Sequence, residues 1–367
     1  MKVLIISTDR KVFEEGSAVR SRLLEYGRLV NELHVIVFAK RTSDFRNETI
    51  PPNIFLYPTN SLGRFFHVPY AIIRALKLKR RGVSIDVVTT QDPFEAGFAG
   101  FIISHLLNAG LHIQIHTDVM SSYFARESIL NQARVVLAKF LLSHADAIRV
   151  VSERIKNSLS QVNCQKSKVS ILPIFVEIKN ATDLQERDLK KKYPQFDFHI
   201  LVASRLTREK NIKSAIEAMR SVVSNHLKIG LIIVGSGPEE VKLKELVACL
   251  SLGKNVIFEG WRNDLSDYYK TANVLILPSY YEGYGMVAVE ALSQGCPVVM
   301  TDVGCAGEVV KDGENGLVVP VGDTGALAGA IEGLVSGKLN LKVEPPKLPT
   351  KEEYLVAYKK SWDDALI

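Results

Sequence analysis

Cysteine is scarce: only four occur in 367 residues, at 164, 249, 296 and 305, and none forms a C-x-x-C pair. That scarcity excludes a disulfide-stapled scaffold and a structural zinc module; free buried thiols in a cytosolic protein are expected instead. Long apolar runs are also missing. The longest, Phe94 to Ile115, is broken by Glu95, His105, Asn108 and Gln114 and by glycines at 97, 100 and 110, so no bilayer-spanning helix is expected. Met1-Lys2 leads straight into Val3–Ile6, a run too short for the core of a signal peptide, and the chain reads as cytoplasmic. No strand–helix turn carries G-x-G-x-x-G either. Val234-Gly235-Ser236-Gly237-Pro238-Glu239-Glu240 begins that way but has Glu240 where the third glycine belongs, which excludes a nicotinamide site.

What is present is an alternation of short β-rich runs with amphipathic stretches. Apolar residues make up 47% and charged residues 23%, normal for well-buried sheets. The length exceeds one ordinary core, so two domains are expected. Strands are predicted at Val3–Ile6, His34–Phe38, Ile54–Tyr57, Ile85–Thr89, Leu111–His116, Ala147–Val151 and Val169–Leu172. Helical spacing fills several intervals, as in Val19, Leu23, Leu24 and Val30, or Val135, Val136, Lys139 and Phe140. The rhythm breaks at Leu172-Pro173-Ile174 and the polar stretch 179–192. It restarts with Phe198–Ala203, Ile229–Val234, Val256–Glu259, Val274–Leu277, Val298–Met300 and Leu317–Val319. The boundary is therefore expected near residues 173–180, giving domains 1–175 and 176–351, with a final helix over 352–366. Such alternation predicts an α/β fold of two doubly wound parallel sheets, whose ligands bind beyond the strand C-termini, at a cleft between the domains.

Three segments after predicted strands carry candidate chemistry. Leu277 to Ala291 passes from a strand through a glycine-containing loop into a helix starting near Gly285, and helix N-termini suit phosphate. Glu282 and Glu290 can accept hydrogen bonds from neighbouring hydroxyls. On spacing alone, Glu282 as a charge cap and Glu290 as a solvated helix face remain open. In Ser204-Arg205-Leu206-Thr207-Arg208-Glu209-Lys210-Asn211, Arg205 and Lys210 can neutralise a leaving diphosphate, or form a solvated basic loop. The third is the glycine turn Gly235-Ser236-Gly237. In the first half, Gly16 precedes a helix, while Asp92 and His116-Thr117-Asp118 end strands.

Together these residues resemble glycosyltransferase family 4, retaining enzymes of the GT-B fold. The likeness rests on Ser204-Arg205-x4-Lys210, Gly235-x-Gly237-Pro238, and an E-x7-E motif of Glu282 and Glu290. It continues through Gly295-x-Pro297-Val298-Val299, Gly307-Glu308 and Asp312-Gly313-x-Asn315-Gly316-Leu317, all in family order. The resemblance implies Arg205 and Lys210 on the diphosphate, Glu290 on the ribose, and Glu282 on the donor sugar, helped by amides of Gly283, Tyr284, Gly285 and Met286. It implies His116 approaching the transferred sugar from the first domain, Gly16 near phosphate or acceptor, and Asp92 and Asp118 on acceptor-side loops. The base would lie near Trp261 and Arg262, and the last helix would cross back to the first domain. Glu15-Gly16 stands where many members carry paired glycines, and Gly304-Cys305-Ala306-Gly307 departs from the commoner double-glycine form. The implied activity is metal-independent transfer of a hexosyl group from a UDP- or GDP-linked sugar to a glycan or lipid-linked acceptor, as in polysaccharide biosynthesis. The nucleotide sugar is a co-substrate, and no separate cofactor is implied. The alternatives are a nucleotide-sugar epimerase or a binding protein of the same fold without transfer activity.

Charge is uneven. Residues 1–180 hold 24 Lys+Arg against 15 Asp+Glu, a surplus of nine, within an overall +6. Leu62 to Arg81 contains Arg64, Arg74, Lys77, Lys79, Arg80 and Arg81 with no acidic residue, interleaved with Phe65, Phe66, Tyr70, Ile72, Ile73 and Leu76. Two readings fit: a peripheral contact with an anionic inner-membrane face, or an ordinary helix with a basic solvent side. No nucleic-acid motif accompanies these charges, and no nucleic-acid partner is expected.

Overall fold

The computed structural model describes residues 1–165, 168–178 and 188–367, so most of the polar stretch 179–192 and the end of the expected boundary lie outside the described residues. The chain divides into two compact units, Met1–Pro173 with Pro349–Ile367, and Ile174–Leu348.

The first unit contains β1 (Lys2–Ser7), β2 (Glu32–Val37), β3 (Glu48–Ile50), β4 (Ile54–Pro58), β5 (Val87–Thr90), β6 (Gly110–Ile115), β7 (Ala147–Val150) and β8 (Val169–Ile171). Their order is β3-β4-β2-β1-β5-β6-β7-β8, parallel except for the β3–β4 pair. β3 is absent from the predicted strands because Glu48-Thr49-Ile50 is too short to show alternation. The winding reverses between β1 and β5, creating a crevice beyond their C-termini, where Ser7 Oγ donates to Gln91 Oε1 at 3.2 Å.

One face of this sheet is apolar. Helices His67–Arg80 and Glu95–Leu107 set Ala71, Ala75, Leu78, Ala96, Ala99 and Ile103 against Leu4, Ile6, Ile36 and Val88. Alanines bring the helices close, and each fully buried Leu or Ile contributes about 1.5–3 kcal/mol. In the Ile129–Ser143 helix the expected stripe is not the inward one. Asn131, Ala138, Leu141 and Leu142 are buried, while Val136 is 70% exposed and Lys139 and Phe140 face outward. Both sides of this helix carry apolar residues, so spacing cannot choose; the flat surface of Gly97, beside the Leu141 side chain, selects the buried side. Likewise Leu24 is exposed, and Val30 falls beyond the Ala18–Gly27 helix.

Across the other face lies the helix Lys351–Asp363, opened by a capping box of Thr350 and Glu353. It buries Tyr354, Tyr358, Ser361 and Trp362, and Tyr358 stacks on Tyr26 with ring centroids 4.3 Å apart.

The second unit contains β9 (Phe198–Ala203), β10 (Ile229–Val234), β11 (Val256–Gly260), β12 (Val274–Leu277), β13 (Val298–Thr301) and β14 (Gly316–Val319). The order is β11-β10-β9-β12-β13-β14, all parallel, with the winding reversed between β9 and β12. The Ile212–Asn225 helix places Ile212, Ala215, Ile216, Met219 and Val222 in a core shared with Ile200, Val202, Leu231 and Ile233. Cys296 and Cys305 are buried, their thiols pushed up to about 12 chiefly by desolvation. The expected burial fails for Cys164, which is half-buried, and for Cys249, which is exposed at the end of the Glu240–Cys249 helix.

Candidate active site

The reversal between β9 and β12 places two loops side by side in the second unit. They are stitched together: the Tyr280 amide donates to the Glu209 carbonyl at 2.8 Å, and Asn211 Nδ2 to the Pro278 carbonyl at 3.2 Å. At this join Lys210 Nζ stands 2.6 Å from Glu282 Oε1, which also accepts the Ser279 hydroxyl at 2.8 Å. Glu282 is buried, and Lys210 is largely covered. In such surroundings removing one partner strands the other charge, at a cost of about 3–5 kcal/mol. Just beyond, Gly285 takes φ +87° at the entry to the Met286–Ser293 helix. An L-side chain there costs about 1–2 kcal/mol, so glycine permits the turn by which the chain enters the helix. Tyr284 is buried, and its carbonyl accepts from the Cys305 amide at 2.8 Å. A cation, a carboxylate and helix amides on one rim can bind an anion and orient hydroxyls beside it.

The other expected residues of this unit are distributed around the join. Arg205, two-thirds exposed, reaches Glu209 at 3.4 Å, and Glu209 also accepts the Thr207 hydroxyl at 2.6 Å. So exposed a pair contributes about 0–1 kcal/mol, which leaves Arg205 available to a ligand. Glu290 accepts from the Tyr269 hydroxyl at 2.8 Å; burial raises its carboxyl's pKa and that hydrogen bond opposes the rise. Gly235 is glycine for a backbone reason: a Cβ would stand 1.8 Å from the Ser204 carbonyl oxygen. At Gly237 a Cβ would stand 2.4 Å from the Leu206 carbonyl oxygen, so this turn supports the Arg205 loop from behind. Trp261 and Arg262 stand at the end of β11, two strands away from β9. Trp261 Nε1 donates to Asn263, and Arg262 binds Glu259 at 2.8 Å. Burial raises the Glu259 carboxyl, but Lys192, Tyr193 and Arg262 together hold it down to about 2.

In the first unit, Gly16 takes φ +76° just before Ser17, whose hydroxyl caps the Ala18–Gly27 helix. Asp92 Oδ1 accepts the Phe94 amide at 2.8 Å and so shapes the entry to the Glu95–Leu107 helix; burial pushes its carboxyl up. The Asp118 carboxyl is also pushed up by burial, with Ser158 and nearby amides opposing. His116 follows β6 directly. Burial, then the charges of Arg149 and Arg22, hold its imidazole down to about 3, so the ring is neutral at physiological pH and offers one donor and one acceptor. Ser279, Tyr269 and Arg149 were not singled out from the sequence: a lone serine, tyrosine or strand arginine gives no signal until the fold supplies its neighbour.

Among the described residues no helix is long and apolar enough to cross a membrane. Two family models match the chain in succession, Glycosyltransferase Family 4 over residues 25–180 and Glycosyl transferases group 1 over residues 185–347. Among curated relatives, N-acetyl-alpha-D-glucosaminyl L-malate synthase of Bacillus anthracis is 23% identical over 322 residues, covering 85% of this chain and 81% of that protein. The capsular polysaccharide biosynthesis glycosyltransferase CapM of Staphylococcus aureus is 28% identical over 210 residues, and the match spans only 55% of each. Of solved structures, sucrose-phosphate synthase of Thermosynechococcus elongatus superposes with a TM-score of 0.75 at 22% identity, over all of this chain and 95% of that one. HepE of Anabaena, solved with UDP-glucose, gives 0.72 at 18%, over 99% and 96%. These likenesses establish a GT-B fold, and with both halves matched in order the chain belongs to glycosyltransferase family 4 and is a glycosyltransferase.

Proposed function

We propose that the chain is a retaining, metal-independent hexosyltransferase. It moves a sugar from a UDP- or GDP-linked donor to a hydroxyl of a glycan or lipid-linked acceptor, as in polysaccharide biosynthesis. The second unit holds the donor and the first serves the acceptor. The observation that carries this is the buried Lys210–Glu282 pair beside the entry to the Met286–Ser293 helix. A diphosphate arriving there takes Lys210 as its counter-ion, with Arg205 as a second cation, and frees Glu282 for the sugar hydroxyls. Two fixed cations and helix amides do for the leaving group what a metal ion does elsewhere. Glu290, one turn or so into the helix, exchanges the Tyr269 hydroxyl for a ribose diol. The acceptor oxygen attacks on the face the nucleotide leaves, and the departing phosphate oxygen takes its proton. His116, uncharged, serves the sugar as a hydrogen-bonding ring. The UDP-glucose in HepE favours a uridine donor.

The reading includes an anionic membrane face. Ala71, Ala75 and Leu78 seat the His67–Arg80 helix on its core, leaving Phe65 (97% exposed), Phe66, Ile73, Lys77, Arg80 and Arg81 outward. Flotation with vesicles rich in phosphatidylglycerol checks this: a Lys77/Arg80/Arg81→Glu variant is expected to stay at the bottom of the gradient while the unaltered chain floats.

The deciding experiment on the chemistry is a panel of nucleotide sugars, read first by thermal stabilisation and then by transfer in excess EDTA. One UDP- or GDP-sugar is expected to stabilise the chain and be consumed. Strict dependence on added Mg²⁺ or Mn²⁺, or conversion of the donor to its epimer, defeats the reading.

A further inference from the structure

The face of the first sheet beneath the Lys351–Asp363 helix is polar. Register places Thr89 on β5 beside His112 on β6, and Gln114 on β6 beside Arg149 on β7. Thr89 Oγ1 and His112 Nδ1 are 2.8 Å apart, and Gln114 Nε2 donates to Thr89 at 3.2 Å and to the Tyr358 hydroxyl at 3.1 Å. Arg149 Nη1 donates to Gln114 Oε1 at 2.7 Å. Arg149 is 2% exposed, yet its hydrogen-bond partners among the described residues are all neutral. They are the carbonyls of Leu172 and Pro173, Gln114 and the Tyr354 hydroxyl, with the Tyr354 and Tyr358 rings 5.8 and 4.8 Å from Cζ.

Burying a cation without a counter-ion costs several kcal/mol, and an apolar residue of similar length would fill the space more cheaply. What the cation supplies is a field that water and salt screen poorly. His116 stands just past the end of β6, two residues beyond Gln114, and the charge of Arg149 reaches it. We propose that Arg149 is a positioning residue for glycosyl transfer: through Gln114 and its own fixed charge it sets where His116 sits and which form its imidazole takes. This rests on the reading of His116 as the residue that meets the transferred sugar. The depressed imidazole supports it, with Arg149 the first cause after burial. The charged or titratable groups around this face are Arg149 on β7, His112 on β6, Arg22 and Tyr26 on the Ala18–Gly27 helix, Tyr354 and Tyr358 on the last helix, and Asp118 just beyond. A ring kept neutral both donates to and accepts from sugar hydroxyls; an imidazolium only donates.

The test is an NMR titration of the full chain's histidines, with the His116 signal assigned by its loss in His116→Gln, run beside kcat and KM against pH. In the unaltered chain His116 is expected to stay neutral down to about pH 5. In Arg149→Met its titration moves up by about one unit or more, and the acid limb of kcat moves with it, while the donor KM stays within about twofold. Arg149→Lys restores the limb although it loses the fork of bonds to Leu172 and Pro173. Should Arg149→Met fail to fold, Gln114→Glu decides: an anion beside Arg149 cancels its field with almost no change of shape, and the same upward shift is expected. An unmoved titration and acid limb in Gln114→Glu, with transfer still dependent on His116, overturns this inference alone. Transfer at the ordinary rate in His116→Gln instead removes His116 from the reaction, and the inference falls with it.

Discussion

At its switch point the second sheet gathers charge, Lys210 against Glu282 with Arg205 and Glu209 nearby, whereas the first sheet presents Gly16, Gln91 and an uncharged His116. The two sheets share a parallel, doubly wound plan, so topology does not explain the contrast. Under the function proposed above, the chemistry asked of each does. A diphosphate needs positive charge where it breaks away, and sugar hydroxyls need donors and acceptors that do not compete for it. The first unit keeps its own strong cation, Arg149, inside the sheet and not at the crevice.

The largest effect that sharpens this contrast concerns stability. Trp362→Ala empties a fully buried site and is expected to cost about 3–5 kcal/mol. Calorimetry should show only the first unit's transition moving; a matching shift in the second unit's transition would show that the units do not melt separately. Next, Lys210→Ala is expected to lower turnover by about 100-fold or more, the scale of one lost preorganised donor. Near-ordinary kcat with donor binding intact would remove Lys210 from the chemistry and leave the second sheet's charges structural. Arg205→Ala, lying outside the buried pair, is expected to cost about tenfold in kcat/KM, the scale of one charged hydrogen bond; a loss equal to that of Lys210→Ala would make the two cations equivalent. The smallest effect near neutral pH is acid lability. His112 and His116 are each held down to about 3, mainly by burial, against an ordinary value of 6.5. Their neutral forms therefore favour folding in full above about pH 6.5, and that contribution declines as the pH falls from 6.5 toward 3. Unfolding midpoints between pH 7 and 4.5 should fall for the first unit, and His112→Asn should flatten the fall; a pH-independent midpoint would contradict the burial of neutral imidazoles.

The second unit was the more legible from sequence. Its strands at 198–203, 229–234 and 274–277 coincide with the predicted runs, because strands buried on both faces read as unbroken apolar stretches bounded by polar loops. The Lys210–Glu282 contact was not expected: the resemblance gave the two residues separate roles, and residues 72 apart in sequence meet only through the reversal of winding. The β3 edge strand escaped for want of length, and the inward side of the Ile129–Ser143 helix because apolar residues lie on both sides. The buried polar ladder from Thr89 to Arg149 was illegible for a different reason. Polar residues inside strands look like interruptions until the register pairs them across three strands.

The helix Lys351–Asp363 also constrains the order in which the molecule is made. Its Tyr354, Tyr358 and Trp362 complete a body begun by residues 1–173, while everything between belongs to a second body that is continuous in sequence. A ribosome adding about 5–20 residues per second releases that closing segment on the order of ten seconds or more after Pro173. For that interval Arg149, Gln114 and His112 stand on an uncovered surface within a nascent chain whose later-made half is already free to collapse. The first body can therefore be completed only after the whole of the second has been made.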